Sequence, residues 1–407
     1  MTKLEATAFV QQHFEPADSA TETAVQALRA DLGLYNHKNI ISALCGFLMV
    51  CRTLRARQSD LMAFPLGKGH YDTGKAAYLS VRDKLIAEGI MELVQESRAQ
   101  LKRGGGKGTS AVYRVVVWFD LEELKFKQGQ PIHTVKVRTP KLGKQVGAVY
   151  EDWSKDTEDA GKVLSHKDCE ARFGVGYAYY TAKTKKYNAH MGLHPLVVDG
   201  DSFSYVVRKF NNSSISLGGR FYGAYSQLPK DIRKTATIDG ELVTEVDLTA
   251  SGLSLLLATK GLWYPSGTTD PYRLIPWVTD RRSRDFAKVL ISAMISVGGI
   301  KKKFTTEMEA DFPEFCLNHK NTDIYTKPIL DVFPVFKTEF DGLDLMFKES
   351  EWLADVIDTA NADGITVYPL HDGVICKMKH GGDVRKIMVD CFLEHFSNRP
   401  MVKVGYN

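Results

Sequence analysis

The sequence contains Gly364-Ile-Thr-Val-Tyr-Pro-Leu-His371-Asp372-Gly373-Val-Ile-Cys376, a run of β-branched and apolar residues interrupted by His-Asp. An upstream run has the same character: Glu241-Leu-Val-Thr-Glu-Val-Asp247-Leu-Thr-Ala-Ser251-Gly252. Both compositions predict β-strands that carry an aspartate at or near their ends. Two aspartates at the tips of neighbouring strands can hold two divalent cations about 4 Å apart, the minimum for phosphoryl or nucleotidyl transfer. Either aspartate alone is more typical of a turn or a helix cap.

The size and charge of the chain are those of an ordinary globular protein with more than one domain. Its 407 residues are too many for one small core and predict two or three domains. Lysine and arginine number 53 against 49 aspartate and glutamate residues. This balance does not by itself indicate a nucleic-acid-binding protein, so any such prediction depends on how the charges are distributed.

The cysteines and the apolar segments predict an intracellular protein that does not enter a membrane. The six cysteines form no Cys-x-x-Cys pair, which excludes zinc-type spacing and favours reduced thiols in a cytosolic protein. The N-terminus lacks the apolar core of a secretory signal. The longest apolar stretch, residues 40–51, is about half the length that a bilayer requires.

The pattern along the chain predicts four segments. Residues 1–36 form an N-terminal helical segment, 37–120 a compact domain, 121–200 a connecting region, and 201–407 the part that holds both aspartates. Within 37–120 the predicted order is two helices and a β-hairpin with a basic, glycine-rich tip. These elements are helices at 40–51 and about 73–88, strands at 90–96 and 110–119, and the tip at 102–108.

This order resembles a winged helix-turn-helix domain, which implies contact with DNA or RNA. Tyr78, Val81 and Leu85 share one face of the second helix, which is therefore its buried side. The resemblance implies that this helix enters a major groove and that the hairpin tip touches phosphates. A domain that serves structure or protein docking remains the alternative. The basic residues available for nucleic acid are Lys75, Arg82, Lys84 and Lys107.

Residues 121–200 carry aromatic residues interleaved with lysines, between Tyr177 and Tyr187. Such a pattern suits a single nucleic acid strand, because bases stack on the rings while cations follow the backbone. The same pattern is typical of a helix face that meets water.

Two basic motifs lie near the aspartates in the sequence. Gly218-Gly219-Arg220 allows a close backbone approach beside a guanidinium that can grip a phosphate, although a tight turn explains it equally well. Further on, polar residues recur at every fourth position of a predicted apolar helix. They are Arg284, Lys288, Ser292 and Ser296. The two cations, one turn apart, could bind a triphosphate together, or they could simply face water.

The order of these motifs resembles the single-subunit polymerases, a group that includes the family A DNA polymerases and the phage-type and mitochondrial RNA polymerases. The resemblance covers about the last 200 residues and leaves the winged-helix segment outside it. It implies an α+β fold, a right-hand polymerase palm and fingers with a small antiparallel sheet, and two Mg²⁺ or Mn²⁺ ions. Residues 121–200 would then be a thumb-like connection.

The resemblance also implies a role for each matching residue. Asp247, Asp372 and the carbonyl of Leu248 would bind metal, and His371 would lie beside the primer 3′ end. Arg220 would contact the template or hybrid backbone. The incoming nucleotide would be bound by residues of the predicted fingers helix and of the segment after Asp247, with Lys288 also assisting catalysis. These residues are Arg284, Lys288, Ser292, Ser296, Ser251 and Gly252.

Position 252 bears on the choice of sugar. Family A DNA polymerases carry a glutamate there that blocks a 2′-hydroxyl, whereas Gly252 leaves space and favours ribonucleotides. The chain departs from the family at Ser296, where an aromatic residue is usual. This departure argues against active discrimination between sugars and against the family's way of positioning the template base.

We therefore expect metal-dependent, template-directed synthesis of RNA, by a primase or compact RNA polymerase of a phage or mobile element. Its partners would be a DNA template, nucleoside triphosphates, and a helicase or other replication proteins, in the cytoplasm of a bacterial host cell. One alternative is a DNA polymerase or a template-independent nucleotidyltransferase. Another is a winged-helix replication initiator or regulator whose polymerase-like body is inactive.

Overall fold

The computed structural model describes residues 8–9, 13–35, 39–56, 58–64, 75–95, 111–129, 131, 133–140, 163–262 and 270–405. It is a mixed α/β fold with small sheets, which agrees with the predicted α+β class. The chain divides into two compact units, residues 1–215 with 221–243, and residues 216–220 with 244–407. Among the helices described, none combines the length and the apolar character that crossing a bilayer requires.

The first unit contains five helices among its described residues. They are α1 Ser19–Asp31, α2 Ile40–Ala56, α3 Lys75–Ala87, α4 His166–Leu193 and α5 Lys230–Arg233. Its strands are short, and two strands, β11 and β13, run from one unit into the other. The strands up to β13 are β1 Ala8–Phe9, β2 Phe14–Pro16, β3 Leu61–Phe64, β4 Met91–Gln95, β5 Ala111–Val115, β6 Phe126–Gln128, β7 Val135–Val137, β8 Leu196–Val198, β9 Asp201–Phe203, β10 Val206–Phe210, β11 Gly218–Gly223, β12 Thr237–Ile238 and β13 Glu241–Leu248.

The segment that resembles a winged helix contains the predicted helices and hairpin. Strands β4 and β5 pair antiparallel, and β5 also pairs with β3, a strand that the sequence did not predict. Tyr78, Val81 and Leu85 are buried, which confirms the predicted inner face of α3. The glycine-rich tip at 102–108, including Lys107, lies outside the described residues.

Helix α4 carries the interleaved tyrosines and lysines on more than one face. Tyr177 and Tyr187 are buried, whereas Tyr179 is 53% exposed, with the Lys183 ammonium 5.9 Å from the centre of its ring. Two of the tyrosines therefore belong to the core and cannot stack on bases, because their rings are already packed against protein.

The second unit contains seven helices and a small sheet in its described part. The helices are α6 Ser251–Thr259, α7 Arg281–Val297, α8 Thr306–Asp311, α9 Pro313–Cys316, α10 Asp323–Val332, α11 Gly342–Ala362 and α12 Gly381–Phe396. The remaining strands are β14 Val367–Leu370, β15 Gly373–Lys377 and β16 Val402–Val404. Strand β13 lies between β15 and β16, and β14 pairs with β15 on its outer side.

Helix α7 is fixed by signals at both of its ends and by one apolar face. Asp280 and Ser283 form a reciprocal capping box at its start, and Gly298 in the left-handed region ends it. Phe286 and its apolar neighbours on α7 are buried against α6, α8 and α10. The Phe286 ring lies 4.7 Å from that of Phe315 and 5.0 Å from that of Tyr325, measured between ring centres.

This packing predicts that Phe286→Ala destabilises the second unit by about 3–5 kcal/mol, because the substitution leaves a cavity in a cluster of rings. The free energy of unfolding from a urea titration measures the effect. Val289→Ala is the matched control on the same helix, since Val289 is 36% exposed. Equal unfolding free energies for the two variants would contradict this account of the core.

Candidate active site

Strand β13 and the β14–β15 hairpin bring the two aspartates together. The backbone N–H of Leu248 donates to the carbonyl of Asp372 at 3.2 Å. A methyl group added at Gly373 would collide with Asp247 Oδ1 and with the carbonyl of Val246. The turn that carries Asp372 is therefore in direct contact with the strand that carries Asp247, at a separation that only glycine allows at position 373.

Residues His371 and Asp372 form the whole connection between β14 and β15, because Leu370 and Gly373 are paired across the hairpin. His371 has φ of 58°, in the left-handed region that favours glycine or asparagine in such turns. A histidine held there costs conformational energy, and residues held in this way cluster at functional sites. The His371 side chain is exposed and lies beside Asp372.

The backbone of Leu248 faces the same turn. In an extended strand the N–H and C=O groups of one residue point to the same side. Since the N–H of Leu248 bonds to Asp372, its carbonyl is also directed towards the hairpin. The Leu248 carbonyl is therefore an oxygen donor on the side of β13 that faces the turn with Asp372.

A buried glutamate joins three of the segments around the aspartates. Glu349, on α11, is 1% exposed. Its Oε2 accepts a hydrogen bond from Nε of Arg220 at 2.6 Å and lies 2.5 Å from Nη2 of the same residue, in an ion pair. Its Oε1 accepts a hydrogen bond from the hydroxyl of Ser251, at the start of α6. The position is one that sequence analysis did not assign to the site.

The electrostatic environment of Asp372 is set by burial and by nearby charges. Its side chain is partly exposed by surface area, but protein atoms surround the carboxyl closely, and this burial raises its pKa. Arg220, His371 and Lys288 act in the opposite direction. Burial also raises the pKa of Glu349; Arg220 opposes this shift, and Asp372 adds to it. Asp372, Glu349, Arg220 and Lys288 therefore interact as one charged group.

The two cations predicted to bind a triphosphate have different surroundings. Lys288 is exposed on α7 and acts electrostatically on Asp372. Arg284 is partly buried, ion-paired with Asp270 and also within 3.3 Å of Asp285. Its guanidinium lies 5.3 Å from the ring centre of Tyr272. Lys288 thus lies near enough to Asp372 to affect its charge, whereas Arg284 would have to leave Asp270 to reach a ligand.

Gly252 lies against α7. A methyl group added there would approach Cδ1 of Ile295 to 2.9 Å, so the Ile295 side chain lies directly beside Gly252. That Gly252 leaves room for a ribose hydroxyl stays a prediction, and the packing of α7 on α6 was not part of it. Further along α7, Ser292 is exposed and the Ser296 hydroxyl donates to the Ser292 carbonyl at 2.9 Å.

The basic residues of α3 have local partners. Arg82 pairs with Asp83 and lies 6.0 Å from the ring centre of Tyr113, and Lys84 pairs with Glu88 at 2.8 Å. Nothing is described of the Lys75 side chain. Ion pairs between neighbouring surface residues are weak, so these cations can exchange their partners for phosphates.

Two site residues were missed by the sequence analysis. Glu349 lies on the apolar stripe of α11, four residues from both Leu345 and Leu353, and a glutamate at a core position was a readable signal. Lys403 lies directly opposite Asp247 in the pairing of β13 with β16, where side chains share one face. That pairing joins distant parts of the chain and left no signal in the sequence.

The oxygen donors near the two aspartates are of the kind that Mg²⁺ uses in open sites, where water and substrate complete the coordination. Within the part of the chain that the structure describes, no group of three or more His, Cys, Asp or Glu residues could hold a metal ion. Mg²⁺ is commonly held by one or two carboxylates together with water and substrate phosphates. Asp247, Asp372 and the Leu248 carbonyl are oxygen donors of this kind.

Comparison with models of known protein families and with curated protein sequences finds no match to this chain. The resemblance to single-subunit polymerases therefore rests on the sequence motifs alone.

The contact at position 373 predicts that Gly373→Ala destabilises the protein by about 1–3 kcal/mol, because the added methyl group meets backbone atoms that cannot move aside. Gly382→Ala is the control, since nothing lies within 4 Å of a methyl group at that position. Denaturant unfolding measures both variants. A Gly373→Ala protein as stable as the control would show that the close approach of β13 and the hairpin is not required.

The raised pKa of Asp372 predicts that the metal-free protein loses stability as the pH rises. Above the ordinary value of 3.8 the unfolded chain has released this proton, whereas the folded protein retains it up to the raised value. The free energy of unfolding therefore falls across that window. Asp372→Asn, which has no such proton, should show a flatter dependence in denaturant titrations between about pH 4 and about pH 8. If the free energy of unfolding depends on pH in the same way in the two proteins, the pKa of Asp372 is not raised.

Proposed function

We propose that this protein is a metal-dependent nucleotidyltransferase that adds nucleoside triphosphates to a nucleic acid strand on a DNA template. The observation that carries the proposal is the contact between β13 and the β14–β15 turn, in which the N–H of Leu248 bonds to the Asp372 carbonyl and Gly373 lies against Asp247. Lys288, on α7, acts electrostatically on the Asp372 carboxylate. Two carboxylates and a nearby lysine are typical of sites for phosphoryl transfer.

The proposed roles follow from the charges of the site. Asp247, Asp372 and the Leu248 carbonyl would hold Mg²⁺ or Mn²⁺, as two ions. When bound, these ions neutralise the charge of the triphosphate and lower the pKa of the attacking 3′-hydroxyl. Lys288 would stabilise negative charge on the departing pyrophosphate. His371, exposed beside Asp372, would support the primer end.

We propose RNA as the product, made by a primase or compact RNA polymerase of a phage or mobile element in a bacterial host cell. The absence of a side chain at Gly252 supports ribonucleotide use, provided that Ile295 moves away from that position when a nucleotide binds. A DNA polymerase or template-independent enzyme with the same aspartates would differ in the nucleotides and templates it accepts.

The N-terminal segment is proposed to act as a winged helix that binds the template or an origin. The order α2, β3, α3 and the β4–β5 hairpin supports this assignment. Arg82 and Lys84 would contact phosphates from α3. A helicase or other replication proteins are proposed as further partners.

One observation favours a second function, an initiator or regulator whose polymerase-like body is inactive. Arg284, expected to grip a triphosphate, is already engaged by Asp270 and Asp285. In this second case the winged helix alone would carry the function, as sequence-specific duplex binding.

Strand synthesis on a single-stranded DNA template distinguishes these functions. Labelled ribonucleotides and deoxynucleotides are supplied separately, with Mg²⁺ or Mn²⁺, and with or without a primer or template. We expect ribonucleotide products from the wild-type protein and a loss of at least about a thousandfold in Asp372→Asn, because a site that has lost a metal ligand cannot stabilise the transition state. Asp390→Asn, an exposed position on α12, is the matched control.

Full synthesis by Asp372→Asn would overturn the proposed site. Products from deoxynucleotides alone would assign a DNA polymerase, and products without template would assign a template-independent transferase. Duplex binding with no incorporation under any condition would favour the initiator or regulator.

A further inference from the structure

Both carboxylate oxygens of Glu349 are engaged, and each serves a different segment. Oε2 accepts a hydrogen bond from Nε of Arg220 and is ion-paired with its guanidinium, while Oε1 accepts a hydrogen bond from the hydroxyl of Ser251. The side chain is 1% exposed, so these bonds are shielded from water. A buried carboxylate with separate charged and neutral donors holds both donors in fixed positions.

The partners of Glu349 lie next to the residues of the candidate active site. Ser251 begins α6, four positions after Asp247, and Arg220 lies on β11. Glu349 itself is on α11, the helix that leads into β14 and so to Asp372. One side chain therefore ties together three segments that converge on the two aspartates.

Arg220 acts on two carboxylates, that of Glu349 and that of Asp372. It forms the direct ion pair with Glu349, and its charge also interacts with the Asp372 carboxyl. The Arg220 side chain is 29% exposed, and a partly buried guanidinium favours pairing with a carboxylate within reach. Without the charge of Glu349, Arg220 would turn to Asp372.

We infer that Glu349 is a positioning residue that holds Arg220 and the start of α6, and that by engaging Arg220 it keeps Asp372 available to a divalent cation. This inference rests on the proposed function, since it assumes that Asp372 is a metal ligand. This positioning role differs from a purely structural role in one respect. The loss of cation binding caused by substituting Glu349 is due to Arg220, so it should disappear when Arg220 is substituted as well.

Two substitutions separate these cases. Glu349→Gln keeps the shape of the side chain and can still hydrogen-bond to Ser251, but it removes the charge that attracts Arg220. We expect cation binding about tenfold weaker, because a charge-assisted bond between Arg220 and Asp372 must then be broken. The double variant Arg220→Met with Glu349→Gln should bind within about threefold of the wild type, because no guanidinium remains to compete.

The measurement is a titration of the full-length protein with Mn²⁺ alone, in which electron paramagnetic resonance reports the free ion. Asp372→Asn identifies the binding that belongs to this site. Glu351→Gln, two residues further along α11, is the matched control and should bind as the wild type does. Circular dichroism and urea unfolding establish that each variant is folded.

Wild-type affinity in Glu349→Gln would overturn the inference while leaving the proposed function intact. So would a double variant as weak as the single one, since Glu349 would then act on the cation directly or through the fold. If the wild-type protein and Asp372→Asn bind Mn²⁺ equally, or if neither binds it, Asp372 is not a metal ligand. That result would overturn both the proposed function and this inference.

Discussion

The close approach of β13 to the turn before β15 is the constraint on which the site depends. A side chain at Gly373 would collide with Asp247 and with the backbone of Val246, so the two segments could not meet at this distance. The hydrogen bond from Leu248 to the Asp372 carbonyl fixes the register between them. Because this contact involves backbone atoms, it places the aspartates without relying on the side chains themselves.

Bringing acidic groups together in this way requires compensating charge. Asp372 and Glu349 would repel each other in a poorly solvated region, and this repulsion together with burial raises the pKa of Glu349. Arg220 pairs with Glu349, while Lys288 and His371 act on Asp372. Lys403 stands across from Asp247. The cations thus come from four separate segments, each attached to the fold at a different place.

The helix that carries Lys288 combines a rigid inner face with a polar outer one. Phe286 and Leu290 lie in the core, so Lys288, two residues from each, necessarily points away from it. Packing of the same helix against α6 brings Ile295 onto Gly252. A movement of α7 would therefore change both the position of Lys288 and the space at Gly252.

Local pattern was enough to predict much of the fold. The sequence by itself determined the strands that carry Asp247 and Asp372, the extent and inner face of α7, the course of α11, and the helices and hairpin of the N-terminal segment. Each of these follows from hydrophobic periodicity, caps and turn residues close together in the chain. Strand β3 was not predicted, because a four-residue strand has little periodicity of its own.

Only the tertiary structure decided how the charged side chains are paired. Arg220 and Glu349 are 129 residues apart, and Ser251 and Glu349 are 98 residues apart. The pairing of Arg284 with Asp270 and the position of Ile295 against Gly252 likewise depend on how elements pack. Sequence pattern reports which face of a helix or strand is buried, but not which element covers it. For that reason the aspartates, and a glutamate on the apolar stripe of α11, could be read from the sequence, whereas the partners of that glutamate could not.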